Sequence, residues 1–183
     1  IGLGGILQPA PVVYAQGEAK ASYGELSDSE IEALLLMREE EKLARDVYIA
    51  MYEQWGAQVF LNIQASEQTH FDQIGVLLVR YGLPDPALGI GEFSDHHLQE
   101  VYDMLISIGS RSLADAYWVG ATIEDLDIMD LLHCMEIADN KDLDQVFSNI
   151  MEGSENHMRA FVQCLSSVGL GYTPQFISVE LFN

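Results

Sequence analysis

The chain contains 183 residues, 49% of them hydrophobic, which is enough to bury a core and excludes an intrinsically disordered protein. Eight Lys and Arg residues stand against 29 Asp and Glu residues, for a formal net charge of −21. This charge repels the phosphates of nucleic acids and of anionic lipids, so no nucleic-acid partner is expected. No apolar run reaches the roughly 18–20 residues that a membrane-spanning helix requires, so no membrane span is expected either.

Residues 1–25 are predicted to form an extended, apolar N-terminal tail that precedes a helical domain over residues 26–183. Residues 1–17 carry no charge, and their proline and glycine content disfavours a long helix. The sequence Val13-Tyr14-Ala15-Gln16 resembles a signal-peptidase site, but no basic segment precedes it. We therefore expect an exported protein, extracellular or at the cell surface, that retains this tail.

The first long helix is predicted to begin at the capping box of residues 27–30 and to end at Gly56. Its apolar stripe, with hydrophobic residues at steps of three and four, is interrupted by Glu41. Glu39 and Glu40 fall on other faces of the helix and are predicted to be solvated. A carboxylate in a core-facing stripe needs a partner, because burying an unpaired polar group costs roughly 2–7 kcal/mol.

The second long helix, predicted over about residues 59–81, carries Glu67 and His70 in its apolar stripe. A step of three residues is just under one helical turn, so both side chains project from the same face. Glu-x-x-His on the inner face of a helix is the ligand unit of carboxylate di-iron and di-manganese bundles. The motif also occurs by chance on solvated helices, so the other helices must decide whether it is a metal site.

A loop over residues 84–91 is predicted to carry the chain across the molecule to a short crossover helix that ends near residue 108. Ser94 or Asp95 is the predicted cap of this helix. His96 and His97 are adjacent in its first turn, so their side chains diverge, and both are predicted to be exposed rather than to bind metal.

The third long helix is predicted over about residues 112–137, and one acidic residue, Glu124, again interrupts its apolar stripe. Asp127 lies one turn further on and borders the same stripe. Asp125 and Asp130 are predicted to face outward. The helix therefore offers one carboxylate to the interior and a second at its edge.

The fourth long helix is predicted over about residues 142–168, with His157 in its apolar stripe. The segment that follows, residues 172–179, is short, apolar and β-prone, and we expect it to dock along the helices instead of forming a sheet. Cys134 and Cys164 are predicted to be unpaired. If Glu124 and His157 share a level on antiparallel helices, the helical rise places the two cysteines about 25 Å apart.

The motifs around these polar residues resemble those of the ferritin-like superfamily. Residues 41–48 resemble the first-helix signature Glu-x-x-Ala-Arg-x-x-Tyr of rubrerythrins, and the Glu67-His70 pair matches the second-helix motif. The third-helix Glu and the fourth-helix His are 33 residues apart, which is close to the ferritin-like spacing. Residues 123–131 and 153–161 are also similar to a ferritin-like domain family of unknown function.

This resemblance, over roughly residues 26–177, implies an all-α fold: a ferritin-like four-helix bundle with an extra short crossover helix and an extended N-terminal tail. It also implies a centre for one or two Fe or Mn ions, with Zn as a further option. The candidate metal ligands are Glu41, Glu67, His70, Glu124, His157 and Asp127.

One position departs from the ferritin-like pattern. A complete di-iron site has Glu-x-x-His on the fourth helix as well, but Ser154 stands three residues before His157. Asp127 is the residue that could supply a compensating carboxylate. Two metals, one tightly bound metal and an emptied relic site therefore remain open as alternatives.

Three functions are compatible with these features. The first is an exported metal-binding bundle that assembles with itself through residues 1–23 into an extracellular filament or ring, since a soluble monomer gains nothing from an exposed apolar tail. The second is a di-iron or di-manganese oxidoreductase acting on O₂ or peroxide, with Tyr48 or Tyr117 beside the metal. The third is a metal-binding module without turnover.

Overall fold

A computed structural model describes residues 24–182, and these residues form six helices and no strand. The helices are α1 (Asp28–Trp55), α2 (Gln58–Tyr81), α3 (His96–Gly109), α4 (Leu113–Ile137), α5 (Lys141–Ser167) and α6 (Val179–Phe182). The all-helical prediction is therefore confirmed for this part of the chain, and the predicted limits of the first five helices differ from the observed ones by about one residue. The predicted tail and its role in assembly lie almost entirely outside the described residues.

Capping residues fix both ends of α1. The side chain of Ser27 accepts a hydrogen bond from the backbone of Glu30, and the Glu30 carboxylate accepts one from the backbone of Ser27 at 2.8 Å. The other oxygen of Glu30 accepts hydrogen bonds from the backbone nitrogens of Asp139 and Asn140. At the other end Gly56 takes the left-handed conformation, with φ of 63°. The same capping box thus starts α1 and anchors the connection between α4 and α5.

The four long helices pack as two pairs. Only residues 56–57 connect α1 with α2 and only residues 138–140 connect α4 with α5, so the members of each pair are antiparallel neighbours. The pairs meet through contacts of α1 with α4 and of α2 with α5, while α3 packs on α1 and α4. None of the helices in the described part of the chain has the length and hydropathy needed to cross a bilayer.

The interior consists of two apolar clusters separated by a polar layer. One cluster contains Tyr48, Phe60 and Phe161, and the other contains Met37, Ile74 and Phe147, all of them fully buried. Each long helix runs from one cluster into the other and carries its candidate metal ligands at the crossing. The apolar stripes on both sides of the crossing fix the register of the helices. The candidate ligands therefore lie at one level of the core.

The segment after α5 covers a face of α4 that was predicted to be exposed. Asp125 has no exposed surface, so the prediction that it faces outward is wrong. Its carboxylate accepts hydrogen bonds from the Tyr172 hydroxyl at 2.8 Å and from the backbone nitrogens of Gln175 and Ile177 at 2.5 and 3.0 Å. A chain segment almost fifty residues away turns this aspartate into the anchor of the C-terminal segment, and helical periodicity carries no information about that contact.

Glu39 and Glu40 are likewise not solvated as predicted. Glu39 is 7% exposed, and its carboxylate accepts a hydrogen bond from the Ser94 hydroxyl at 3.1 Å, in the loop before α3. Glu40 is half-buried against Asp130 of α4, and burial together with the charge of that aspartate raises the pKa of Glu40 well above its ordinary value. The loop before α3 thus covers Glu39, and the contact between α1 and α4 covers Glu40.

A buried ion network joins α1 to the crossover loop. Lys42 has no exposed surface and donates hydrogen bonds to the Asp46 carboxylate at 2.7 Å and to the carbonyl oxygen of Glu92 at 2.9 Å. Asp46 is also fully buried and accepts further hydrogen bonds from the Arg45 guanidinium and from the backbone nitrogen of Gly91. This network fixes the loop against α1.

Several further expectations for the described residues are confirmed. Cys134 and Cys164 are both free thiols. His96 and His97 are exposed at the start of α3, where Asp95 caps the helix by accepting from the backbone nitrogen of His97 at 2.7 Å. Residues 172–178 form no strand.

Candidate metal centre

Five of the six candidate metal ligands converge in the polar layer between the two apolar clusters. Helix α1 contributes one residue, α2 two, α4 one and α5 one, and each is at most 7% exposed. They are Glu41, Glu67, His70, Glu124 and His157. The polar residues that interrupt the apolar stripes of four separate helices thus meet in space.

Glu67 lies at the middle of this group. One of its carboxylate oxygens is 2.8 Å from Nδ1 of His70, and the other is 2.8 Å from Nδ1 of His157. The two imidazole rings stack with their centroids 5.5 Å apart. Glu41 approaches Nδ1 of His70 at 3.1 Å, and Glu124 approaches Nδ1 of His157 at 3.5 Å.

The donor atoms form two triads with one member in common. The first triad is Glu41, Glu67 and His70, and the second is Glu67, Glu124 and His157; within each, the donor atoms lie within 4.8 Å of one another. Two carboxylates and an imidazole form a donor set that suits divalent Fe, Mn or Zn. Glu67 offers one oxygen to each triad, so it would be the ligand shared by two ions if both triads held one.

Three buried atoms in this layer that could donate electron pairs to a metal ion have no hydrogen-bond partner. They are Oε1 of Glu41, Oε1 of Glu67 and Nδ1 of His157. The last two atoms are only 2.8 Å apart, yet they do not form a hydrogen bond with each other. Unpartnered buried polar atoms are costly, and a shared cation would compensate them, so the residues fit a metal centre.

The electrostatics of the layer reflect a concentration of buried negative charge. Burial and then the charge of Glu67 raise the pKa of Glu124 to about 7. Burial opposes ionisation of Glu67 as well, but the imidazoles of His157 and His70, each 2.8 Å from one of its oxygens, hold its pKa at about 2. Burial lowers the pKa of His70, but Glu41 and Glu67 outweigh burial and raise it to about 11. Protons therefore compensate the carboxylates when no cation is bound.

The metal-free protein is expected to become less stable as the pH rises from 5 to 9. Glu124, with its pKa raised to about 7, and His157, with its pKa raised to about 10, hold protons in the native state that the unfolded chain has released. For each such proton, a rise of one pH unit between the unfolded and folded pKa values lowers the free energy of unfolding by about 1.4 kcal/mol.

Guanidinium denaturation at pH 5, 7 and 9 in the presence of a chelator measures this trend. Added Mn(II) should stabilise the protein more at pH 9 than at pH 5, because the ligands must lose protons to bind it. A free energy of unfolding that rises with pH in the metal-free protein would contradict the prediction.

Asp127, the sixth candidate, lies at the edge of the layer and belongs to neither triad. It is half-buried on α4, and Ser154 of α5 donates a hydrogen bond to its Oδ2 at 2.5 Å. Burial and then the charge of Glu124 raise the pKa of Asp127 to about 8. Ser154, which stands where the Glu-x-x-His pattern has a glutamate, is thus hydrogen-bonded to the extra carboxylate on the neighbouring helix.

Residues 30–183 match the protein family described as "Uncharacterized protein domain (DUF2202)". The chain belongs to this family. It is 52% identical over 157 residues to the uncharacterized protein MJ0754 of Methanocaldococcus jannaschii, and the alignment covers 85% of each chain. The crystal structure of hypothetical protein MJ0754 matches this DUF2202 chain with a TM-score of 0.86 and 49% sequence identity, covering 90% of this chain and 95% of that one.

A buried tyrosine of the DUF2202 chain contacts the centre directly. Tyr48 has no exposed surface, and its hydroxyl donates a hydrogen bond to Oε1 of Glu124 at 2.5 Å. Burial and the charge of Glu124 raise the pKa of this phenol well above its ordinary value, so it remains a donor. Tyr117, the other tyrosine suggested for this place, stacks on Phe60 with centroids 5.7 Å apart. Tyr48 therefore orients the Glu124 carboxylate.

Gly153 is a site residue that the sequence did not reveal as one. A Cβ atom at this position would lie 2.5 Å from Nε2 of His70, which is closer than real Cβ contacts come. The α5 backbone therefore forms the wall behind the imidazole, and the missing side chain lets Nδ1 of His70 point at Glu41 and Glu67. The only available signal was a glycine in the middle of a long helix, where it is usually unfavourable.

Replacing Gly153 with Ala is expected to displace the His70 ring and to weaken metal binding by at least about tenfold, as for other changes that misorient a ligand. Helix propensity favours Ala over Gly by roughly 1 kcal/mol, so the loss would not come from a weaker helix. Calorimetric titration of the metal-free variant with Mn(II) measures the effect. Gly171, whose Cβ would meet nothing within 4 Å, provides the control Gly171→Ala. Equal affinities of the two variants would contradict the assigned role.

Proposed function

We propose that this DUF2202 protein is a ferritin-like four-helix bundle that binds two divalent transition-metal ions in its core. The observation that carries the proposal is the pair of buried triads that share Glu67, with donor atoms that lack hydrogen-bond partners. An ordinary satisfied polar core would leave no such atoms, since most buried polar groups are hydrogen-bonded.

The donor set favours Fe or Mn, with Zn as a further option. Carboxylate oxygens and imidazole nitrogens suit these ions, and no cysteine belongs to either triad. Bound Fe or Mn supplies Lewis acidity and one-electron redox chemistry. The chain itself holds the carboxylates in place, through Tyr48 on Glu124, and excludes bulk water by burial.

Elemental analysis of the full chain after anaerobic loading with Fe(II) or Mn(II), followed by desalting, tests the proposal. We expect about two ions per chain. The double variant His96→Gln with His97→Gln is the matched control, because it removes two exposed imidazoles outside the centre and should leave the metal content unchanged. A protein without bound metal, or metal that is lost with these two histidines, would contradict the proposal.

A second candidate is an oxidoreductase that acts on O₂ or peroxide. The buried phenol of Tyr48, hydrogen-bonded to a candidate ligand, is the observation that favours it. Consumption of peroxide by the Fe-loaded protein, compared with the protein stripped by a chelator, distinguishes this function from metal binding without turnover. Equal rates for both forms would exclude it.

We also propose that the metal-binding bundle is the subunit of an extracellular filament or ring that assembles through residues 1–23. The support is compositional: residues 1–17 carry no charge in a chain whose net charge is −21. A tail that lies on the next subunit makes a head-to-tail contact, and such contacts produce rings or open filaments.

Deleting residues 1–16 is expected to convert assemblies into monomers. Light scattering coupled to size-exclusion chromatography of the full and shortened chains measures this, with metal content as the control for an intact core. Assemblies that persist without residues 1–16, or a full chain that is itself monomeric, would contradict the prediction.

A further inference from the structure

The metal centre is asymmetric in the helices that supply its carboxylates. Helix α2 carries a glutamate and a histidine three residues apart, Glu67 and His70, whereas α5 carries Ser154 and His157 at the same spacing. Thus α5 contributes an imidazole but no carboxylate. The two triads together contain three carboxylates, which balance only three of the four positive charges of two divalent cations.

Asp127 is held beside the α5 position that lacks a carboxylate. The Ser154 side chain is 1% exposed, and its hydroxyl lies 2.5 Å from Oδ2 of Asp127 and 3.1 Å from the carbonyl oxygen of Ile150, one turn earlier on α5. Asp127 is one helical turn beyond Glu124. Ser154, which occupies the α5 position without a carboxylate, therefore orients the Asp127 carboxylate of α4.

Asp127 lies beside a layer in which polar atoms of Glu41, Glu67 and His157 lack hydrogen-bond partners. Ser154, to which Asp127 is hydrogen-bonded, lies one helical turn before His157 on α5.

We propose that Asp127 is the fourth carboxylate of the metal centre, that Ser154 positions it, and that its charge permits the second divalent cation to bind. The inference rests on the proposed metal-binding function. With neutral imidazoles, four carboxylates neutralise two divalent cations, whereas three leave a net positive charge in a buried site, which is costly.

Titration of the metal-free full chain with Mn(II) tests this inference, with free Mn(II) followed by electron paramagnetic resonance and affinities by calorimetry. Asp127→Asn removes the charge but keeps an oxygen that can accept the Ser154 hydrogen bond. We expect two ions in the wild type, and in the variant a first ion of unchanged affinity and a second bound about 100-fold more weakly. Glu136→Gln, an exposed change on the same helix, should bind both ions like the wild type.

Ser154→Ala distinguishes a positioning role from a purely structural one. In the wild-type background it should weaken the second ion about tenfold, because Asp127 loses the group that orients it. In an Asp127→Ala background, which lacks the acceptor of the Ser154 hydrogen bond, it should weaken the second ion no further, since the two changes act through one interaction. Equal weakening in both backgrounds would overturn the positioning role of Ser154.

The outcomes separate this inference from the function on which it rests. If Asp127→Asn binds two ions as tightly as the wild type, Asp127 is not part of the centre, although metal binding stands. If the wild type binds no Mn(II), the proposed function itself fails. Should Asp127→Asn not give a folded protein by circular dichroism, Ser154→Ala decides alone, and an unchanged second affinity overturns the inference.

Discussion

Replacing Glu67 with Gln is expected to reduce the metal content of the loaded protein from about two ions to less than one ion per chain. Glu67 is the only residue present in both triads, with one oxygen 2.8 Å from each Nδ1 of His70 and His157. The amide is neutral and has only one oxygen, so the centre loses one negative charge and one of the two triads loses a donor. Elemental analysis after anaerobic loading measures the result.

Glu155→Gln is the matched control for this variant. It makes the same chemical change on α5, two residues from His157, but the Glu155 side chain is 44% exposed and faces Arg159. We expect it to retain about two ions. Circular dichroism of both metal-free proteins checks that the helices remain, and a Glu67→Gln protein that still holds two ions would refute the bridging assignment.

Replacing Asp46 with Ala is expected to lower the free energy of unfolding by about 3–5 kcal/mol, which is the usual cost of leaving a buried charge without its partner. Lys42 and Asp46 are both fully buried and 2.7 Å apart, so the substitution leaves the ammonium group beneath the crossover loop. It also removes the acceptor of the Gly91 backbone nitrogen, which ties that loop to α1. Guanidinium denaturation of the metal-free protein measures the loss.

Glu53→Ala is the control on the same helix. Glu53 is exposed two turns beyond Asp46, and its removal should change the free energy of unfolding by no more than about 0.5 kcal/mol. A loss below about 1 kcal/mol for Asp46→Ala would mean that the network contributes little beyond local packing. Because the network lies outside both triads, a weakened Asp46→Ala protein should still take up about two ions when folded.

Much of the centre follows from the sequence alone. The capping box at residues 27–30 and Gly56 set the limits of α1, and comparable signals set the limits of the other long helices. Once those limits are known, the helical period determines which polar residues share a face with the apolar stripe. Glu41, Glu124 and the histidine of α5 were found in this way, and the structure brings them together with the α2 pair.

The helical period predicted the wrong exposure for carboxylates outside the apolar stripe, and the reason is physical. A residue that points away from its own helix's apolar face is exposed only if no distant segment covers it. The segment after α5 covers Asp125, and the loop before α3 covers Glu39. Both coverings depend on contacts between residues some fifty positions apart, which the spacing along one helix cannot encode.

The sequence by itself determined the helices of this protein, their inner faces and the kinds of donor that meet between them. Only the tertiary structure decided how those donors are arranged, because distances between helices depend on packing. It placed Glu67 between two histidines, set the backbone of Gly153 against His70, and joined Ser154 to Asp127. Each of these is a contact between different helices, so its geometry exists only once the core has formed.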